Sequence, residues 1–367
     1  MTSLQSYENL EREELLERIA SVRRQAGERL AIFAHYYVED EIVELADFVG
    51  DSLALAQRAA NSPAEALLFC GVHFMLETAD ILANRPEKIA ARAGKRMDVM
   101  AAEATAGCPM ADMITDAQAL QWKSQLERIV DFSEFTPITY VNSSAAIKAF
   151  CGRHGGAVCT SSNAEKVVCE ALSKRGKILF MPDSRLGRTT ALQVGVPNDE
   201  IAIWDPRVKT DLGGLTEEQV ARAKVIAWDG FCPVHQRFSI DFIKNLRKET
   251  PQAQVWVHPE SQRVIVENSD GFGSTSKLIS VVDAAPEGST IAVGTEWKLV
   301  RRLQKRNPNK TILWPGSEPV VCVNMAKTTL WKVAWALENW RDGSPVNIVR
   351  TEPEVAEEAY LALKSLL

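Results

Sequence analysis

The chain has 367 residues, with 42 Lys+Arg against 48 Asp+Glu for a formal net charge of −6, and is 46% hydrophobic and 25% charged. That apolar content excludes general disorder, and the acidic balance argues against a polyanion binder, which needs a basic face. At roughly 150 residues per domain, the length fits two or three compact units.

No apolar run approaches the ~18 residues that span a bilayer. The N-terminus, MTSLQSYENLEREELLERIASVRRQ, is charged and helix-like with no apolar signal core, so a cytosolic location is expected. In chain order, the strand RLAIFAHYY leads to the helix EDEIVELADF. A short strand then runs into the turn VGDS and the helix LALAQRAA. The strand ALLFCG, the helix FMLETADIL and a candidate strand near MDVMAA follow, and this stretch closes at AGCPMAD. The same order returns. FTPITYVNSS precedes the helix AAIKAFC, which Gly152 is expected to end. AVCTSSN, AEKVVCEALSK, KILFMP and LGRTTALQV come next, and AKVIAWDG leads to FCPVH. A third pass has QAQVWVHPE, SQRVIVEN, GFGSTS, KLISVVDAA, STIAVG and EWKLVRRLQK, then KTILW leading to PVVCVNM. In the closing helix, NMAKTTLWKVAWALENW, Met325, Leu330, Val333, Leu337 and Trp340 fall near one stripe and read as packing.

Short apolar runs alternating with amphipathic helices predict βαβ units with parallel sheets. The expected fold is α/β: three pseudo-equivalent three-layer αβα domains with parallel sheets around a central active site. The expected divisions are an N-terminal helix over 1–24, a first repeat over 25–125 with Cys108, a second over 126–240 with Cys232 and a third over 241–321. Residues 322–367 carry Cys322 and the C-terminal helix.

Polar residues fall at corresponding strand ends. His35, Tyr140 and His258 follow the first strand of each repeat. Ser52, Ser161 and Thr275 follow the second, and Cys108, Cys232 and Cys322 the last. In parallel α/β sheets ligands bind beyond the carboxyl ends of the strands, so these positions are candidate site residues. Three thiolates suit a soft metal centre, and a four-iron cubane with only three cysteines keeps one iron open as a Lewis acid. The turns GDS, CTSSN and GSTS place hydroxyls before helices, where they either cap the helix or bind phosphate or carboxylate. Glu260 near His258, with Tyr37 beside His35, offers proton transfer. The other cysteines (Cys70, Cys151, Cys159 and Cys169) read as packing residues. His73 reads as structural, His154 as solvent-exposed, and Arg301, Arg302, Lys305 and Arg306 as a solvated helix face. A non-catalytic iron–sulfur sensor and a zinc hydrolase with Cys and His ligands are the competing readings.

The residues AHYYVEDEIVELADFVGDSLALA, FCGVHFMLETADIL, AGCPMAD, TYVNSSAAIKAFC, CTSSNA, ILFMPDSRLGR, WDGFCPVH, VHPE, GSTS and CVNMAKTTLWKV resemble the quinolinate synthase (NadA) family over nearly the whole chain. The resemblance implies condensation of iminoaspartate with dihydroxyacetone phosphate to quinolinate, with loss of phosphate and two waters, in de novo NAD biosynthesis. It implies a [4Fe–4S] cluster on Cys108, Cys232 and Cys322. Substrate-binding positions match His35, Ser52, Tyr140, Val141, Asn142, Ser161, His258, Pro259, Glu260 and Thr275, and Tyr37 matches a tyrosine that contacts substrate. Glu260, His258, Tyr37 and His35 are the expected catalytic set. A functional link to L-aspartate oxidase or aspartate dehydrogenase, which would supply the imine, is also implied, with no nucleic-acid or membrane partner. The approach to Cys108, RMDVMAAEATAGCPMAD, departs from the Pro-Asp-containing strand usual in the family.

Overall fold

A computed structural model describes residues 4–367. They form two compact units. One runs to Cys108 and resumes at Val321–Ala356; the other comprises Pro109–Val320 and Glu357–Leu367.

The first unit holds one sheet of strands β1 (Leu30–His35), β2 (Phe48–Gly50), β3 (Ala66–Cys70) and β4 (Asp98–Ala101), in the order β2-β1-β3-β4, all parallel. β1 and β3 are almost wholly buried, as expected of strands covered on both faces, and so read as unbroken apolar runs. The helix Arg12–Ala26 packs on the helix Leu330–Arg341 of the same unit. On the short preceding helix Gln5–Glu8, the Tyr7 hydroxyl donates to Glu338 Oε2 of that same helix Leu330–Arg341 at 2.5 Å.

The second unit holds two sheets. One is made of β5 (Phe135–Tyr140), β6 (Ala157–Cys159), β7 (Lys177–Met181), β8 (Ile201–Trp204) and β9 (Val225–Trp228), in the order β6-β5-β7-β9-β8. The other is made of β10 (Gln254–Val257), β11 (Gly271–Phe272), β12 (Thr290–Gly294) and β13 (Thr311–Leu313), in the order β11-β10-β12-β13. Every pairing in both is parallel. All three sheets therefore share one winding: second strand, first, third, last, with β8 added at one edge of the middle sheet. The α/β class and the threefold repeat expected from sequence are both present. In each sheet the winding reverses between the first and third strands, and open α/β sheets bind ligands at such a reversal.

The structure differs from the sequence reading in several places. Gly152 does not end its helix, which runs Ala145–Arg153. The glycine is there for space: a Cβ at position 152 would lie 1.8 Å from the carbonyl oxygen of Glu358 on the last helix. That last helix, Pro353–Leu363, and strand β8 were not anticipated. The closing stripe is split, with Met325 on a short turn and the helix proper starting at Leu330. Leu330, Val333 and Leu337 are buried, while Trp340 is half-exposed beneath the Arg29 guanidinium at 5.9 Å. Cys70, Cys151 and Cys159 are buried as expected, but Cys169 is exposed on its helix. His73 is also exposed, 3.8 Å from Glu77, rather than structural. His154 is half-buried: it stacks on Phe150 at 4.6 Å, with its Nδ1 2.9 Å from the Phe150 carbonyl oxygen. Among the described residues no helix is long and apolar enough to cross a membrane.

The close approach at Gly152 generates a prediction. Gly152→Ala is expected to destabilise by about 1–3 kcal/mol through overpacking against backbone, read as a lowered Tm with the secondary structure retained.

Candidate active site

In the first unit, β1 carries His35 to its carboxyl end, where the ring is buried. His35 Nδ1 accepts a hydrogen bond from the Tyr37 backbone N–H at 3.2 Å, and the two rings meet edge-on at 4.6 Å. Accepting at Nδ1 leaves the neutral imidazole with its proton on Nε2. Ser52 is the first residue of the helix Ser52–Ala60, and Asp51 does the capping, accepting from Ala54 N–H at 3.0 Å. Cys108 and Cys322 are half-buried in irregular segments.

In the second unit the strand ends converge on one carboxylate. Glu260 lies three residues past the end of β10 and is 2% exposed. Tyr140, the last residue of β5, donates its hydroxyl to Glu260 Oε1 at 2.6 Å. His235, in the turn after β9, places Nδ1 3.0 Å from Glu260 Oε2. His258 Nδ1 stands 3.5 Å from Oε1, and its ring stacks on His235 with centroids 4.4 Å apart at 9°. Burial alone would push the Glu260 carboxyl up. His258 and His235 beside it, with the hydrogen bonds from His235 and Tyr140, instead hold it down at about 2. Two contacts compete for His258 Nδ1. The Glu260 backbone N–H, at 3.5 Å, wants a bare nitrogen, whereas the Glu260 carboxylate wants a protonated one.

The remaining predicted residues of this unit follow the ends of strands β5, β6, β10 and β11. Val141 and Pro259 are buried, and the Val141 N–H donates to the Cys159 carbonyl at 2.8 Å. Asn142 Oδ1 is buried with no hydrogen-bond partner. Thr275 opens the helix Thr275–Ala284 while Ser274 caps it. Ser161 lies in the turn before the helix Ala164–Arg175, where Asn163 Oδ1 accepts from Thr160 N–H at 2.7 Å. At Ser52 and Thr275 a neighbour does the capping expected of the hydroxyl, so N-capping does not account for either side chain.

Two residues of the cluster were not assigned from sequence. His235 is the fourth residue of Cys-Pro-Val-His, and only that short spacing hints at it. Asp183 follows β7 and is fully buried. Its Oδ1 accepts from the N–H groups of Arg185 at 2.7 Å and Leu186 at 2.9 Å, capping the helix Ser184–Gln193, and Oδ2 has no partner. Burial and then the Glu260 charge push the Asp183 carboxyl well above the usual range, against the two backbone amides and Arg185. No sequence pattern marks a capping aspartate as buried. Gln236 adds a clamp, its side-chain amide donating to the carbonyls of Cys232 at 3.2 Å and Glu260 at 2.9 Å.

The cysteines divide by environment. Burial pushes the Cys70 thiol up to about 12 and raises Cys151 and Cys159 as well. Such thiols are inert packing groups. Cys108, Cys232 and Cys322 are half-buried in loops and so keep the access that metal ligation requires. The donor chemistry fits a soft metal centre.

The profile of quinolinate synthetase A protein matches residues 17–367. The chain belongs to the quinolinate synthetase A family. It is 42% identical over 365 residues to the quinolinate synthase of Rhodopirellula baltica, covering 99% of this chain and 93% of that protein. With the enzyme of Geobacillus thermodenitrificans it shares 43% over 366 residues, covering 99% and 95%. With that of Anoxybacillus flavithermus it shares 42% over 367 residues, covering 100% and 96%. As a member of this family the chain is an enzyme.

The opposite displacements of the two buried carboxyls give a stability prediction. A carboxyl whose folded pKa is raised costs stability once pH exceeds its unfolded value, because the unfolded chain ionises freely. Asp183→Asn keeps the acceptor at Oδ1 and removes that cost. The variant is expected to melt higher than the parent near neutral pH and to lose that advantage at about pH 3, as read by Tm across a pH series.

Proposed function

We propose that the chain condenses iminoaspartate with dihydroxyacetone phosphate to quinolinate, releasing phosphate and two waters, in de novo NAD biosynthesis. Family membership across nearly the whole chain carries this reading, and the buried Glu260 cluster at the strand ends supports it. Cys108, Cys232 and Cys322 are the proposed ligands of a [4Fe–4S] cluster. When bound, such a cluster supplies Lewis-acid chemistry at an iron without a cysteine ligand.

The chain's own groups would do the rest. The substrates carry a phosphate and two carboxylates. Ser52, Ser161 and Thr275 at or before helix starts, with Asn142, Val141 and Pro259, are proposed to hold them. Hydroxyls and amides at such positions favour anions, and the unsatisfied Asn142 Oδ1 offers an acceptor. His35 presents Nε2–H to a substrate oxygen, with Tyr37 fixing its ring. Glu260 stays ionised while Tyr140 donates to it, and His258, stacked on His235 beside that carboxylate, is proposed to exchange a proton with the reacting groups. Positioning and electrostatic stabilisation supply much of the rate. The imine would come from an enzyme that oxidises aspartate, consistent with a link to L-aspartate oxidase or aspartate dehydrogenase.

The test is anaerobic incubation of the cluster-loaded protein with both substrates and chromatographic detection of quinolinate. No quinolinate from protein with an intact cluster spectrum would overturn the reading. Glu260→Gln is expected to lower turnover by about 10²–10⁴-fold while the cluster absorption is retained. Near-parental turnover would remove Glu260 from the mechanism.

A further inference from the structure

We propose that, in protein lacking the cluster, Cys232, His235 and Glu260 form a binding site for one zinc-class divalent cation, which shares Cys232 with the three-cysteine set but needs neither Cys108 nor Cys322. The site stands on the geometry of the second unit alone. Only its consequence, competition with cluster assembly, rests on the function proposed above.

The donor set is a thiol, an imidazole and a carboxylate whose ligating atoms all lie within 4.8 Å of one another. Zinc takes this combination, whereas magnesium and calcium prefer all-oxygen shells. A tetrahedral ion with bonds of about 2.0–2.3 Å holds its ligands about 3.5 Å apart, so closure needs shifts of roughly 1 Å. The site is already assembled: the turn Cys-Pro-Val-His carries two donors, and Gln236 ties the Cys232 and Glu260 carbonyls together. His235 Nδ1 and Glu260 Oε2 are 3.0 Å apart, a separation close to that of two ligands on one ion. His235 Nε2 is buried with no partner, so the contact that this imidazole gives up on binding is the one to Glu260. On binding, the imidazole proton moves from Nδ1 to Nε2, the Cys232 thiol proton leaves to buffer, and the Sγ–metal bond forms. Three protein ligands leave the fourth position for water. An ion here would occupy a cysteine and a carboxylate that the proposed activity needs, so zinc would block loading of the cluster.

The experiment uses the full chain in metal-free, cluster-free form, titrated with Co²⁺ as the optical probe. A thiolate-to-cobalt charge-transfer band and tetrahedral d–d bands are expected to saturate at one equivalent and to bleach on adding Zn²⁺. His235→Ala and Glu260→Gln are each expected to weaken binding by at least about tenfold, and Cys232→Ser to abolish the charge-transfer band. The double variant Cys108→Ser/Cys322→Ser is expected to keep the band. Far-UV circular dichroism of the metal-free variants checks that each is folded. Loss of the band in the double variant would place the ion on the three cysteines and overturn the proposal, as would tetrahedral bands without a thiolate transition. Cluster assembly and quinolinate formation in zinc-free parent protein are scored separately, so the two readings fail independently.

Discussion

The second unit is organised around one carboxylate kept out of water. Moving such a charge into a protein interior costs several kcal/mol even after relaxation, and the cost is tolerable only when donors meet it with good geometry. Glu260 meets that condition with donors from separate segments: the Tyr140 phenol from the end of β5 and His235 from the turn after β9. His258, two residues away, adds favourable charge and stacks on His235. Segments from the two sheets of this unit thus meet in a polar knot, and removing a donor leaves a buried charge less well compensated.

Asp183 shows the opposite outcome of the same physics. It is buried as deeply, but backbone amides satisfy only one of its oxygens, and the like charge of Glu260 outweighs the charge of Arg185 on it. One carboxyl is held ionised and the other is pushed toward its neutral form. Pairs of titratable groups driven apart in this way are how a fold places an acid and a base in one neighbourhood at a single pH. The cysteines obey a related rule. Those on strands or within the core are desolvated and unreactive, whereas those in loops past the last strand of each repeat keep partial access to solvent.

The shared winding of the three sheets explains why chemistry gathers where it does. In each, the first strand ends beside the reversal of strand order, and it is there that His35, Tyr140 and, one residue beyond its strand, His258 stand. A side chain at that place faces a crevice that parallel winding leaves open. Repetition therefore multiplies a binding position that a single sheet supplies once.

Much of this was legible in the residues themselves. Apolar runs such as ALLFC and KILFM announce strands buried on both faces, and Gly, Pro and Ser/Thr punctuation sets the turns, because backbone preference and periodicity are local properties. The family, and with it the candidate residues at strand ends, followed from motifs in fixed order. Contacts between distant segments were not legible. That Gly152 makes room for the Glu358 carbonyl rather than ending a helix depends on a segment some 200 residues away. That Asp183 is buried with one oxygen unsatisfied, and that His235 rather than solvent meets Glu260, depends on loops from two sheets arriving together. Sequence fixes the donors and acceptors each segment carries. Only tertiary packing decides which of them lose water, and hence which carry charge.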